Sequence, residues 1–184
     1  MKTTLKTLLA GAIASFLFVT TVKAQTTTSP SPWRLGIGLE GGITTSGFAG
    51  KSEFGATARL QYSFSKTFAA TLTSGYYDFV GNQTFASMGM IPVKLGLKAF
   101  AGNGFYFDAE AGAGFQLQNF NSFKNAELGV PKTTKVILSP GFGYASKAWD
   151  VSLRYENFSG NNTPTYATTD GAMIGLRLAY SFGL

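Results

Sequence analysis

The sequence predicts an all-β fold: an eight-stranded antiparallel up-and-down transmembrane β-barrel, preceded by a cleavable signal peptide. Three observations predict it. First, large apolar residues alternate with small or polar ones in about eight segments. The last is the plainest: Ile174, Leu176, Leu178, Tyr180 and Phe182 interleave with Met173, Gly175, Arg177, Ala179 and Ser181. A side-chain period of two is that of a strand with one greasy face and one small or polar face. Second, the links between segments alternate between short and long, as they do in barrels that cross a membrane. Third, an export signal precedes the repeat.

The signal occupies residues 1–24. Lys2 and Lys6 give a positive start, and Leu8 to Val19 (LLAGAIASFLFV) is an apolar run too short to span a bilayer. Val22-Lys23-Ala24 supplies the small or modest residues of a cleavage site, placed after Ala24. Residues 25–32 (QTTTSPSP) read as a flexible lead-in, and residues 33–184 as a single barrel domain. Of fifteen basic residues, Lys2, Lys6 and Lys23 leave with the signal, so twelve face nine acidic ones in the exported chain. That balance gives no basic stripe for nucleic acid. The absence of Cys excludes disulfides, thiolate metal sites and a lipid-modified Cys anchor, and the absence of His removes the usual general base and the commonest metal ligand.

Each segment keeps one parity. Strand one, about Trp33 to Ile43, sets Trp33, Leu35, Ile37 and Leu39 against Arg34, Gly36, Gly38 and Glu40. Strand two, about Phe54 to Phe64, sets Phe54, Ala56, Ala58, Leu60, Tyr62 and Phe64 against Gly55, Thr57, Arg59, Gln61 and Ser63. Strand three, about Thr67 to Tyr77, sets Phe68, Ala70, Leu72 and Tyr76 against Ala69, Thr71, Thr73 and Gly75. Strand four, about Met88 to Ala101, sets Ile91, Val93, Leu95, Leu97 and Ala99 against Lys94, Gly96 and Lys98. Strand five, about Gly104 to Gln118, sets Phe105, Phe107, the alanines 109, 111 and 113, Phe115 and Leu117 against Tyr106, Asp108, Glu110, Gly112, Gly114 and Gln116. Strand six, about Thr133 to Tyr144, sets Val136, Leu138, Phe142 and Tyr144 against Lys135, Ser139, Gly141 and Gly143. Strand seven, about Ala148 to Phe158, sets Trp149, Val151, Leu153 and Tyr155 against Asp150, Ser152, Arg154 and Glu156. Strand eight is the terminal segment above. Roughly 9–11 residues suffice to cross a bilayer at a barrel tilt.

Two prolines fall inside these segments. Pro140-Gly141 reads as a bulge or bend in strand six. Pro92 either sits near the outer end of strand four or marks the residue after which that strand begins. The short links are Ser65-Lys66, Gly102-Asn103-Gly104 and Ala145-Ser146-Lys147; the long ones are 44–53, 78–87, 119–132 and 159–169. With an even strand number, the short links fall on the periplasmic side.

Charge decides which face meets lipid. Twelve charges lie on the polar parity: Arg34, Glu40, Arg59, Lys94, Lys98, Asp108, Glu110, Lys135, Asp150, Arg154, Glu156 and Arg177. The other nine fall in links or at strand ends, and none lies inside the apolar face. A cation at the bilayer midplane costs about 2–4 kcal/mol, so a charge-free face suits hydrocarbon. A soluble barrel with apolar residues inward would show more outward Lys and Glu. The aromatics form two girdles: Trp33, Phe64, Phe68, Phe105, Tyr144, Trp149, Tyr180 and Phe182 at the periplasmic rim, and Phe54, Tyr76, Phe115 and Tyr155 nearer the outer rim.

On this pattern the chain resembles the small eight-stranded outer-membrane β-barrel family, which includes the OmpA transmembrane domain and OmpX. The resemblance covers nearly all of the exported chain. It rests on the architecture and on Gly175 to Phe182 (GLRLAYSF), which looks like the family's C-terminal assembly signal, although Gly183 and Leu184 follow the terminal aromatic. It implies an integral protein of the bacterial outer membrane, exported through the Sec pathway, monomeric, in contact with outer-membrane lipid, and recognised by the barrel-assembly machinery through its last strand. No cofactor, metal or nucleic-acid partner is expected, and the loops name no partner.

Enzymes among small outer-membrane barrels rely on a His with Ser, Asp or Glu, and with no His there is no such pair to carry over. Asp108 and Glu110, two apart on one face, have the spacing of a carboxylate pair, but neutralising inward Arg and Lys is the stronger reading. Asn161-Asn162-Thr163 is a chance glycosylation pattern, and Gly36-x-Gly38 is strand, not a phosphate loop. The expected function is a structural or surface-interaction barrel with a polar, largely plugged interior, since eight strands leave room only for side chains. The alternative is a narrow channel or transporter for small or apolar solutes.

Overall fold

The computed structural model describes residues 31–46, 52–80, 87–117, 134–160 and 170–184. The expected signal peptide and all but the last two residues of the lead-in lie outside the described residues. Eight strands follow in chain order: β1 (Trp33–Ser46), β2 (Ser52–Ser63), β3 (Phe68–Val80), β4 (Met88–Gly102), β5 (Phe105–Gln116), β6 (Thr134–Ala145), β7 (Trp149–Ser159) and β8 (Gly171–Gly183). Each pairs antiparallel with the next, and β8 pairs with β1, so the sheet closes as an eight-stranded barrel without a crossover. The closing ladder runs from Leu35↔Phe182 to Ile43↔Ile174 without a shift. In hydrocarbon an open edge would leave rows of unpaired N–H and C=O groups, each costing several kcal/mol.

Local chemistry explains the tight end. Between β4 and β5, Asn103 and Gly104 both have positive φ, 50° and 87°. A two-residue hairpin link with that backbone matches strand twist, and Asn-Gly is its favoured sequence. A Cβ on Gly104 would lie 2.6 Å from the Ala145 carbonyl oxygen. The turns before β3 and β7 are fixed by serine hydroxyls: Ser65 Oγ accepts from the Phe68 N–H at 2.8 Å, and Ser146 Oγ accepts from the Trp149 N–H at 3.0 Å. All three short connections therefore lie at one end, the periplasmic end of the expected topology. The four long connections include residues outside the described set.

The parity holds in every strand. Along β5 outward and buried residues alternate from Phe105 to Glu110, and along β7 from Trp149 to Glu156. Trp33, Phe64, Phe68, Phe105, Tyr144, Trp149 and Phe182 all point out near the tight end, and Phe54, Tyr76, Phe115 and Tyr155 point out near the other. Neighbouring girdle rings touch, as in Phe105–Tyr144 with centroids 5.1 Å apart and Trp149–Tyr180 at 5.3 Å. Tyr62, packed 4.6 Å from Trp33, joins the girdle although it was not counted in it.

Two expectations need correction, and one open alternative is decided. Pro140 makes no bulge: the β6–β7 register is the same at Leu138↔Asn157 and Gly141↔Arg154, with only the intervening pairs missing from the ladder. The proline, lacking an N–H, opens a gap in pairing without shifting it. Of the two positions open to Pro92, the one near the outer end of strand four holds: it lies within β4 and pairs with Gly114 of β5, and the β3–β4 ladder is likewise interrupted between Ser74↔Val93 and Tyr77↔Met90 without a register shift. The second correction concerns strand ends. β2 begins at Ser52 and β3 runs to Val80. Glu53 is thus an inward, fully buried strand residue and not part of a loop. Asp78 falls on the outward parity of β3, half-buried near its outer end, so the outward face is not free of charge along the whole strand.

Candidate functional site

Among the described residues, charged side chains concentrate in the lumen. Ten of the twelve expected inward charges form a single connected set: Arg59, Lys94, Lys98, Arg154 and Arg177 with Glu40, Asp108, Glu110, Asp150 and Glu156. All ten are buried. Each comes from the small-or-polar parity of its strand, so closure of the barrel is what turns separate rows into neighbours.

Glu110 sits at the centre. Its carboxylate meets Arg154 Nη1 at 2.9 Å, Arg59 Nη2 at 3.0 Å and Lys94 Nζ at 3.5 Å, and it accepts from Thr73 Oγ1 at 2.7 Å. Glu40 is paired with Arg154 Nη2 and with Arg177 Nε at 3.3 Å, and it accepts from Thr57 Oγ1 and the Tyr77 hydroxyl at 2.5 and 2.9 Å. Glu156 receives Lys94 Nζ at 2.5 Å and the Ser139 hydroxyl at 3.0 Å. Nearer the tight end, Lys98 Nζ lies 2.5 Å from Asp150 and 3.9 Å from the centroid of the Tyr106 ring, while Tyr106 donates to Asp150 at 2.6 Å. Asp108 faces Arg59 at 3.9 Å. A buried charge is tolerable when paired and hydrogen-bonded. All five cations and five anions have an opposite charge within 4.0 Å, but the pairing is looser at Asp108, neither of whose oxygens has a hydrogen-bond partner.

Two expected members lie apart. Arg34, the second residue of β1, is only half-buried at the rim and donates from Nη2 to the Lys147 carbonyl at 2.5 Å. It tethers the β6–β7 turn and does not reach the lumen. Lys135, near the other end, pairs with Asp170 at 2.6 Å.

The interior is not polar throughout. Toward the end opposite the tight turns, Tyr77, Phe79, Met90, Ile137, Phe158 and Met173 form a buried apolar layer, with Met88 packed against it. Phe79 and Phe158 meet edge to face at 5.6 Å. Glu53 is buried beside this layer, opposite Phe79 in the ladder, and neither of its oxygens has a hydrogen-bond partner. Sequence reading missed this layer, along with Glu53, the Tyr106 hydroxyl and the Tyr77 hydroxyl that bridges Glu40 and Lys94. Parity carried on one or two residues past the assigned strand ends would have found Glu53 and Phe79, and Tyr77 already stood on the inward parity as the last residue of strand three.

What the set can do chemically is limited. Asp108 and Glu110 share a face but not a task, since Glu110 is held by three cations. Ser139 donates to Glu156 Oε1, the same oxygen that Lys94 and Arg154 engage. Among the described residues no three His, Cys, Asp or Glu side chains are placed to hold a metal ion.

With this geometry in hand, likeness to solved structures defines the class. The chain is similar to the N-terminal β-barrel domain of Pseudomonas aeruginosa OprF, with TM-score 0.59 and 16% identity over 84% of this chain and 100% of that one. It is also similar to Yersinia pestis Ail, the attachment invasion locus protein. In a phospholipid bilayer nanodisc Ail gives TM-score 0.52 and 13% identity over 81% of this chain and 99% of that one. Its crystal structure gives 0.50 and 12% over 82% and 96%. No family model matches the chain, and no curated protein matches it in sequence. The fold is that of the small eight-stranded outer-membrane β-barrels, the class whose architecture the sequence predicted.

Proposed function

We propose that this chain is an integral, monomeric outer-membrane barrel whose lumen is a side-chain plug, and that it acts as a structural or surface-interaction barrel without enzymatic activity. On this reading residues 1–24 are removed on export, the outward belt contacts lipid, and the assembly machinery engages β8. The observation that carries the proposal is the balanced set of ten buried charges beneath an apolar layer. Eight strands enclose only enough space for side chains to fill, and here they are paired with one another. The outward residues add support. From Leu35 to Ile43 on β1, and from Ile174 to Phe182 on β8, no outward position is charged.

The test is a pair of measurements on purified, folded protein. In planar bilayers the barrel is expected to give no discrete conductance steps, and in cells the mature protein should fractionate with the outer membrane and change gel mobility on heating. Regular conductance steps would replace the plug by a channel. A mature protein that stays soluble without detergent would remove the membrane reading altogether.

A further inference from the structure

The outward belt has a gap. Antiparallel register aligns outward side chains of neighbouring strands in rows. One row reads Leu153 on β7, Leu176 on β8, Gly41 on β1 and Phe54 on β2. The next row outward reads Tyr155, Ile174, Ile43 and Ser52 on the same strands. Gly41 is a missing side chain between Leu176 and Phe54, and Ser52 is a short one beside Ile43. Together they leave a groove of about 350 Å³ in the barrel wall.

Packing does not require glycine at 41. A Cβ there would approach nothing closer than 3.8 Å, and its φ is not among the positive ones. By contrast, a Cβ on the inward neighbour Gly42 would come within 3.1 Å of the Ile174 carbonyl oxygen. The effect of Gly41 is therefore the space it leaves. The walls of that space are aliphatic and aromatic. In its floor Gly41 pairs in both ladders, with Phe54 on one side and Leu176 on the other, so that backbone is already engaged. A ligand held there needs no polar groups. Gly41 lies eight residues along β1 from Trp33 in the periplasmic girdle. At about 3.3 Å per residue and a tilt of about 40°, that is a rise of about 20 Å in a band about 25 Å tall, which places the groove in the outer half.

The geometry points to a seat for one acyl chain of a membrane lipid between Phe54 and Leu176, held longer than the lipid around it. This rests on the membrane reading proposed above. The groove is continuous with the lipid-facing belt, which argues for hydrocarbon as its occupant. It is an open depression in the wall, not an enclosed cavity. A stable interface between two proteins buries roughly 1,200–2,000 Å², far more than a gap one strand wide offers.

Native mass spectrometry on barrel refolded into dipalmitoyl phosphatidylcholine vesicles and then extracted in mild detergent tests it. Wild type is expected to retain one lipid. Gly41→Leu fills the groove without a backbone clash and should lower the retained fraction by at least about fourfold, the equivalent of one methylene's burial. Ala113→Leu, on the belt of the opposite strand β5, should leave it unchanged. Insertion without lipid retention by wild type, or equal retention by Gly41→Leu, would overturn the seat while leaving the membrane reading intact. Dimer peaks abolished by Gly41→Leu would overturn it in favour of a second copy. Failure of wild type to insert would fall on the membrane reading itself.

Discussion

Replacing Glu110 by Gln removes one negative charge from a site that three cations surround. Arg154, Arg59 and Lys94 lie at 2.9, 3.0 and 3.5 Å, and Thr73 donates at 2.7 Å. Arg154 and Lys94 keep Glu40 and Glu156 as partners, but Arg59 is left with Asp108 at 3.9 Å. Breaking a buried pair by removing one partner costs about 3–5 kcal/mol, because a charge stays behind uncompensated. With an m-value of about 2 kcal/mol per molar, a loss of about 4 kcal/mol lowers the urea midpoint by about 2 M. Glu110→Ala adds a cavity and should lose more. The assay is urea unfolding of the barrel in lipid vesicles, followed by tryptophan emission and by gel mobility. Glu53→Gln is the internal control. Glu53 is equally buried but neither oxygen accepts a hydrogen bond, so neutralising it removes no pair and should leave the midpoint unchanged or raise it. Equal losses for the two variants, or a Glu110→Gln midpoint at the wild-type value, would refute the claim that pairing, and not mere polarity, holds the interior.

The wall makes two further predictions. A Cβ on Gly75 would lie 2.1 Å from the Ala56 carbonyl oxygen, whereas one on Gly175 would meet nothing closer than the Met173 methyl at 3.5 Å. Gly75→Ala should therefore impair refolding yield while Gly175→Ala refolds like wild type. Leu178 sits mid-strand on β8, opposite Leu39 and Val151, and Phe182 sits at the periplasmic rim. Leu178→Arg should cost up to about 2–4 kcal/mol in vesicles, and Phe182→Arg less, while the latter should be the more damaging to assembly in cells; wild-type stability of Leu178→Arg would invert the assignment of faces.

The sequence was most legible where one physical demand acts on every second residue. Lipid outside and a narrow lumen inside impose a parity that survives in all eight strands. Glycine and serine at the tight turns make those turns readable as well. Strand ends were less legible, since the demand relaxes at the rim. Assigning strand two a start at Phe54 put Glu53 in a loop, and ending strand three at Tyr77 hid Phe79 and Asp78. The apolar layer was missed for a different reason. Ile137 and Met173 occupy the inward parity, where an apolar residue does not disturb the alternation enough to be noticed. The pairing itself is not local: Glu40 meets Arg154 across 114 residues, and Lys98 meets Asp150 across 52. Parity told that these charges share a compartment. Which anion meets which cation depends on barrel closure and register, which no single segment encodes.

The magnitudes also bear on where recognition can occur. For a solute to bind in the mid-lumen it would have to displace members of the ten-charge set, at about 3–5 kcal/mol for each partner left alone. A dissociation constant of 1 mM supplies only about 4.1 kcal/mol. A weak ligand therefore cannot open more than one pair, and a solute passing through would have to open several in succession. Glu53 is different, because its carboxylate has no hydrogen-bonding partner to surrender, but it is fully buried beside the aromatic and methionine layer. On the proposed reading, the inward chemistry serves to hold the wall together. On that reading, recognition is to be tested on the outward face, where Gly41 leaves a gap in the belt, and at the end opposite the tight turns, where the strands deliver the four long connections.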